Sequence, residues 1–170
     1  MRPDIKLEDI TIRTEPRPGD MGYVIYLHGD LYKKEYGYSS IELETYIAES
    51  FCEFYKNYDP QKDRVWVAEY QNRIVGHLAL MHRENDAAQL RFFILDTACQ
   101  GIGLGKKLAG LFFDELKHNG YKSSYLWTLA ELSAAAGIYK KLGYTLTQEV
   151  ETTTLGKTAR EQRYDLVLKD

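Results

Sequence analysis

Three glycines at alternate positions separate a strand-like segment from a helix-like one: Gly101, Gly103 and Gly105. The preceding segment, AAQLRFFIL, is mostly apolar from Leu90 to Leu95, which predicts a strand that is buried on both faces. Apolar residues then recur at helical spacing from Leu104 to Leu116. A helix that begins at a glycine turn aims several unpaired backbone N–H groups at one point, and the missing side chains let a phosphate oxygen approach them. The turn therefore predicts an anion site at the start of a helix.

The spacing of these glycines disfavours the two common nucleotide loops. GIGLG lacks the G-x-G-x-x-G order of dinucleotide sites, and GLGKK has a lysine but not the following Ser or Thr of a nucleoside triphosphate loop. Nor does an acidic residue end a parallel strand about twenty residues later, where a dinucleotide site holds the ribose. On these residues alone, a diphosphate of another kind and a ligand-free junction of strand and helix both stay open.

Periodicity along the rest of the chain predicts about seven strands and about four helices in a single domain of residues 1–170. The predicted order is β-α-α-β-β-β-α-β-α-β-β, an α+β fold with a mixed central sheet. Ser39, with Glu42 three residues later, predicts the start of the second helix. The residues QN between RVWVAEY and RIVGHLALMHR predict a hairpin, whereas ETTTLGKTARE is expected to be a polar connection between the last two strands.

Composition and charge narrow the classes of function. The formal net charge is -3 and the basic residues are scattered, so the chain lacks the basic patch of a nucleic-acid-binding protein. Its apolar runs are far shorter than the ~20 residues of a membrane-spanning helix, and its first residues lack a signal-peptide core. The two cysteines form no CxxC pair and the four histidines are dispersed, so no metal site is expected. We expect a cytoplasmic protein.

The glycine turn and a second motif together resemble the signatures of a known family. Starting at Gln100, QGIGLG resembles the acyl-coenzyme A (acyl-CoA) pyrophosphate loop of the GNAT superfamily of N-acyltransferases, which reads Arg or Gln, two variable positions, Gly, one variable position, then Gly or Ala. The segment AAGIYKKLGY, at 135–144, is similar to the second family signature, a short helix with a tyrosine and a closing Gly-aromatic pair. The resemblance covers essentially the whole chain. The N-terminal YLHGDLYKKEYGY is similar to GNAT domains fused to MarR-type regulators, and we expect a free-standing relative of them.

The resemblance implies acetyl-CoA as co-substrate, with no metal. It assigns the pyrophosphate to backbone N–H groups of the turn: Gln100, Gly101, Ile102, Gly103, Leu104 and Gly105. It assigns the pantetheine arm to three residues of the preceding strand, Phe93, Ile94 and Leu95. An extended amide chain can pair with an open strand edge as a further strand would, which agrees with this assignment.

The resemblance also implies catalytic roles. Acyl transfer to an amine requires stabilisation of an oxyanion, removal of a proton from the amine, and a proton for the departing thiolate. The family assigns the first role to a strand amide, here near Leu95, and the last to a tyrosine, here Tyr139, which is protonated at neutral pH because its reference pKa is about 10. Packing beside the cofactor is the alternative role for Tyr139. Glu131 ranks first as the base and Glu69 second. Leu132 stands where many family members have an asparagine.

The acceptor side is expected to involve aromatic residues of the first helix and the segment after it: His28, Tyr32, Tyr36 and Tyr38. Rings can bind a cationic amine or fill a core, and both readings stay open. The expected reaction is transfer of an acetyl group from acetyl-CoA to the primary amine of a small molecule or amino acid derivative, by direct attack in a ternary complex. A non-catalytic acyl-CoA sensor, a partner-binding module and a protein N-acetyltransferase are the alternatives. Expected partners are the amine and, in a homodimer, a second copy of the chain, but neither nucleic acid nor membrane.

Overall fold

The computed structural model describes residues 5–38 and 41–168. Its strands and helices, in chain order, are β1 (Thr11–Arg13), α1 (Asp20–Tyr36), α2 (Ile41–Lys56), β2 (Arg64–Tyr70), β3 (Arg73–Arg83), β4 (Ala87–Leu95), α3 (Leu104–His118), β5 (Ser123–Leu129), α4 (Ser133–Lys141), β6 (Thr145–Thr152) and β7 (Ala159–Val167). Short 3-10 helices span Leu7–Asp9 and Thr97–Cys99. The described strands form one mixed sheet in the order β1-β2-β3-β4-β5-β7-β6.

This architecture confirms the predicted α+β class and the predicted order of elements. The QN hairpin is also confirmed, since Gln71 and Asn72 have positive φ values of 49° and 64°, as a tight two-residue turn requires. The boundaries near the C-terminus were wrong: the last hairpin extends further into the polar segment, and its connection spans only residues 153–158. The residues there pair across an exposed sheet edge, where a strand needs no apolar pattern. Ser39 lies outside the described residues.

Helices cover both faces of the sheet, and each face has its own core. On one face, α3 and α4 contribute buried residues that include Leu108, Phe112 and Tyr139. On the other face, α1 and α2 contribute Val24 and Phe51, among others. The strand β2 divides its apolar side chains between the two cores by simple alternation, as expected for a strand in a covered sheet. The sheet is therefore the middle layer of three.

The ladder between β4 and β5 is unusually short. These parallel strands pair only at residues 87–89 of β4 and 123–125 of β5. On its other edge β4 pairs with β3 as far as Leu95. The β5-facing edge of residues 90–95 therefore has no strand partner among the described residues, and the sheet opens at its centre.

A β-bulge at Phe92 shapes the same part of β4. The register with β3 shifts between His77 and Ala79, and Phe92 has a φ of 52°, which is rare for a residue with a side chain. Leu90 and Phe92, although two residues apart, pack in opposite cores, so the bulge reverses the alternation of the strand. From Phe92 to Leu95 the bulge therefore decides which side chains of β4 face each side of the sheet.

Two side chains hold this bulge. The Nδ1 atom of His77 lies 3.0 Å from the carbonyl oxygen of Phe92, which can only accept, so Nδ1 donates the hydrogen bond. Burial lowers the pKa of His77 to about 4, and the imidazole is neutral at pH 7. From α2, the ring of Phe51 stacks on Phe92 with 3.7 Å between ring centroids. His77 thus has a structural position within β3.

We expect Phe51→Ala to lower the free energy of unfolding by about 3–5 kcal/mol, because it removes a fully buried ring and leaves a cavity beneath the bulge. Urea denaturation followed by circular dichroism measures the effect. On the same helix Ile41 is 68% exposed, and Ile41→Ala should change the free energy by less than about 0.5 kcal/mol. Equal effects of the two substitutions would contradict the packing described here.

Candidate active site

The opening between β4 and β5 contains two adjoining cavities, of about 400 and 540 Å³. We call the first the arginine cavity, because Arg83, Arg91 and Arg163 line it, and the second the glycine-loop cavity, because the glycine turn lines it. Four residues line both cavities: Tyr32, Phe93, Leu132 and Ala135. The two cavities therefore form one cleft that runs past β4.

The glycine-loop cavity brings together most of the residues predicted for the cofactor. Its lining includes seven of the nine: Phe93, Ile94, Leu95, Gln100, Gly101, Gly103 and Gly105. The side chains of the other two, Ile102 and Leu104, pack in or against the core under α3, so that only their backbone is available to a ligand. Lys106 adds a positive charge to the lining.

The turn presents unpaired hydrogen-bond donors to this cavity. The first backbone bond of α3 runs from the N–H of Lys107 to the carbonyl of Gly103, and the N–H groups of residues 101–106 make no hydrogen bond with any described residue. Gly101 and Gly103 have positive φ values of 84° and 91°. These N–H groups and the positive end of the helix dipole attract an anion, so the geometry fits the pyrophosphate of a coenzyme.

Gly105 serves a different purpose from the two glycines before it. A Cβ atom placed on Gly105 would lie 3.1 Å from Leu95 Cδ1 and 3.3 Å from Ile138 Cδ1, which is tighter than ordinary contact. The missing side chain lets α3 approach both β4 and α4. This close approach sets the glycine turn beside the open edge of residues 93–95.

Tyr139 lies where the two cavities meet. Its side chain from α4 lines the arginine cavity, and its ring centroid is 6.3 Å from that of Phe93, which lines both cavities. Burial, with the nearby Tyr32 and Tyr144 hydroxyls, raises the pKa of Tyr139 far above its usual value. The hydroxyl makes no hydrogen bond with any residue that the structure describes. Tyr139 is therefore a neutral phenol in the lining of the arginine cavity, and its O–H has no partner among the described residues.

The arginine cavity passes through the gap in the sheet, because residues of α1 and α2 line it from one face and residues of α4 from the other. Among the described residues its lining contains one carboxylate, Glu161 of β7. Among the described residues Glu161 has no salt-bridge or hydrogen-bond partner. Burial raises the pKa of its carboxyl above the usual value of 4.5. Glu161 was not predicted as a site residue. An unpaired carboxylate with a raised pKa in a cleft has the properties of a general base.

The four residues predicted for the acceptor form one cluster of rings, since the Tyr32 ring centroid lies 6.0 Å from that of His28, 5.7 Å from that of Tyr36 and 5.9 Å from that of Tyr38, but they do not all line the same cavity. His28 and Tyr32 line the arginine cavity, Tyr36 lines the glycine-loop cavity, and Tyr38 lines neither. The Nδ1 atom of His28 donates to the carbonyl of Val24 at 2.8 Å, and burial lowers its pKa to about 4, so Nε2 is an acceptor at pH 7.

The two glutamates ranked as bases lie away from the cleft. Glu131 accepts a hydrogen bond from the Tyr38 hydroxyl at 2.6 Å and lies 3.8 Å from Lys157 Nζ, beside a separate small cavity. Glu69 lies on β2, two strands away from β4, and its carboxylate forms a salt bridge of 2.8 Å with Arg13. The geometry therefore disfavours both as bases, because each carboxylate already has a partner and neither lines the cavities around Tyr139.

Two observations limit other kinds of site. In the part of the chain that the structure describes, no helix combines the length and apolar character needed to span a membrane. Over residues 5–38 and 41–168, no three His, Cys, Asp or Glu side chains come close enough together to hold a metal ion.

Comparisons with known proteins agree with this geometry. Residues 29–144 match the acetyltransferase (GNAT) family. The chain is 32% identical over 113 residues to an uncharacterized N-acetyltransferase of Escherichia coli, YjgM, a match that covers 65% of this chain and 68% of that protein. It is 34% identical over 91 residues to the N-acetylaspartate synthetase of Danio rerio, covering 53% of this chain and 32% of that protein.

A solved structure gives the same result for the fold. A GNAT family acetyltransferase from Elizabethkingia anophelis with acetyl-CoA bound superposes with a TM-score of 0.66 at 16% identity, covering 95% of this chain and 99% of that one. The fold and the sequence matches define an acyltransferase. The chain belongs to the acetyltransferase (GNAT) family, as the motifs QGIGLG and AAGIYKKLGY predicted.

We expect Gly103→Ala to weaken coenzyme A binding and to destabilise the fold by about 1–2 kcal/mol, because an alanine is strained at a φ of 91°. Isothermal calorimetry with coenzyme A measures the binding. Gly110→Ala is the matched control: a Cβ there meets nothing within 4 Å, and alanine favours the helix by up to about 1 kcal/mol. Unchanged binding in Gly103→Ala would exclude the turn as the anion site.

Proposed function

We propose that this protein transfers the acetyl group of acetyl-CoA to the primary amine of a small molecule or amino acid derivative, by direct attack in a ternary complex. One observation carries the proposal: the unpaired N–H groups of residues 101–106, the open edge of β4, Tyr139 and Glu161 all face one continuous cleft. The family to which the chain belongs supports the same reaction.

The glycine-loop cavity is the proposed donor side. The N–H groups of residues 101–105 would hold the pyrophosphate, and residues 93–95 would pair with the amides of the pantetheine arm. The N–H of Gln100, which was predicted to share this role, already donates to the Thr97 carbonyl at 3.3 Å. Lys106, exposed on the first turn of α3, lines the same cavity, and its ammonium group would pair with a phosphate. The bound donor supplies a thioester, whose carbonyl carbon accepts the amine. A β4 amide near Leu95 is the proposed partner of the carbonyl oxygen.

The arginine cavity is the proposed acceptor side. In the reaction the amine nitrogen forms a bond to the carbonyl carbon and the carbon–sulfur bond breaks. Glu161 takes the proton that the amine loses, and the Tyr139 hydroxyl gives a proton to the departing sulfur. His28 and Tyr32 contact the acceptor, whereas the positions of Tyr36 and Tyr38 do not support that role for them. The similarity to N-acetylaspartate synthetase supports an amino acid as acceptor.

We expect Tyr139→Phe to lower kcat by about 10²–10⁴-fold, because it removes the proton donor while keeping the ring. Release of free thiol from acetyl-CoA measures the rate, and calorimetry should show unchanged coenzyme A binding. Tyr144→Phe is the control, since Tyr144 packs against Tyr139 but donates to Ser124 and lines neither cavity. An unchanged rate in Tyr139→Phe would show that the tyrosine only packs beside the donor.

We expect Glu161→Gln to lower kcat by about 10²–10⁴-fold and to remove the acidic limb of the pH profile. In the wild type a base must be deprotonated, so activity falls as the pH drops through the raised pKa of Glu161. Glu131→Gln is the matched control and should keep both the rate and the profile, because Glu131 lies outside the cleft. The reverse result would make Glu131 the base.

A further inference from the structure

We propose that the acceptor carries a free carboxylate beside its amine, and that Arg91 binds this carboxylate. The inference rests on the proposed function and names the chemical class of its acceptor, an amino acid. It starts from the charges that line the arginine cavity: Arg83, Arg91, Arg163 and Glu161.

Two of these arginines already have partners. Arg83 donates to Gln89 Oε1 at 2.9 and 2.7 Å and to Glu53 at 2.9 Å. Arg163 forms a salt bridge of 2.8 Å with Asp165. Because these interactions satisfy their guanidinium groups, neither arginine needs a ligand to balance its charge.

Arg91 is different. It is half-buried, and its guanidinium carbon lies 5.0 Å from the centroid of the Phe92 ring. Within the described residues it has no salt bridge and donates no hydrogen bond. A guanidinium that faces a cavity without a counter-charge is ready to bind a planar anion through two parallel hydrogen bonds, as arginines bind carboxylates.

The register of β4 places Arg91 in this cavity. Arg91 pairs with Ala79 in the regular part of the strand, just before the bulge. It shares a face of β4 with Gln89, two residues earlier, and both side chains line the arginine cavity. At the bulge, Phe92 packs in the core of α1 and α2 with its ring beside the guanidinium. The cation therefore lies next to the bulge, in the lining of the cleft.

The unpaired charges of the cavity are thus one cation, Arg91, and one anion, Glu161. A simple amine would leave the guanidinium without a partner, and an anion without an amine would be repelled by the glutamate. An amino acid satisfies both, because its carboxylate pairs with Arg91 and its ammonium group with Glu161, which then takes the proton. A cavity of about 400 Å³ is large enough for such a molecule.

The test compares the twenty common amino acids with their amides, which keep the amine and lose the carboxylate charge. We expect kcat/KM for the best amino acid to exceed that for its amide by at least about tenfold, the loss typical of one hydrogen bond to a charged group. Arg91→Gln should remove this preference by raising KM for the acid alone, and Arg91→Lys should restore part of it. Arg73→Gln, at an exposed position outside both cavities, is the control.

Binding gives a second readout that does not depend on turnover. Calorimetry of the same amino acids in the presence of coenzyme A, which carries no acetyl group, should show binding that Arg91→Gln abolishes. Equal rates for acids and amides, or a preference of Arg91→Gln for the acid, would overturn the inference and leave the proposed function intact. Selective binding of acids with turnover of no amine would keep the inference and overturn the function.

Discussion

The short ladder between β4 and β5 is the constraint on which the candidate site depends. A strand in the middle of a sheet normally has both edges paired, yet β4 pairs with β5 over three residues and then continues to Leu95 with one edge open. The glycine turn lies at one end of this opening, and Tyr139 lies farther along it. If the ladder continued, β5 would pair with the edge of residues 90–95 that the cleft leaves open, and this edge could not pair with a ligand.

The bulge at Phe92 lies on the open part of β4 and is held by two other elements. A non-glycine residue at positive φ costs about 1–2 kcal/mol. The hydrogen bond from His77 offsets about 0.5–1.5 kcal/mol of this, and the stacking of Phe51 contributes about as much again. These contributions come from β3 and α2, so elements on both sides of β4 stabilise a conformation that the strand alone would not adopt.

The sequence predicts those parts of the site that are encoded by a few consecutive residues, and it does not predict those that depend on contacts between distant residues. The glycine turn and the short helix of Tyr139 are encoded within a few residues, so the family and the proposed donor side could be predicted from QGIGLG and AAGIYKKLGY. Glu161 reaches the cleft only through the pairing of β7 with β5, which no local pattern encodes. A charged residue within an apolar strand, such as Arg91, indicates a site residue. The prediction that this strand is buried on both faces left no place for such a role. The pairing of Glu131 with Tyr38, which is far away in the chain, holds it outside the two cavities, and no local pattern encodes that pairing.

The two cavities differ in what builds them, and this difference has an evolutionary consequence. In the proposed function the glycine-loop cavity holds its ligand mainly through backbone groups, which most substitutions leave in place. The arginine cavity would bind its ligand through side chains on α1, β4 and β7, each of which one mutation can replace. Because just four described residues, Tyr32, Phe93, Leu132 and Ala135, line both cavities, the proposed acceptor side can change by substitution while the proposed donor side stays the same.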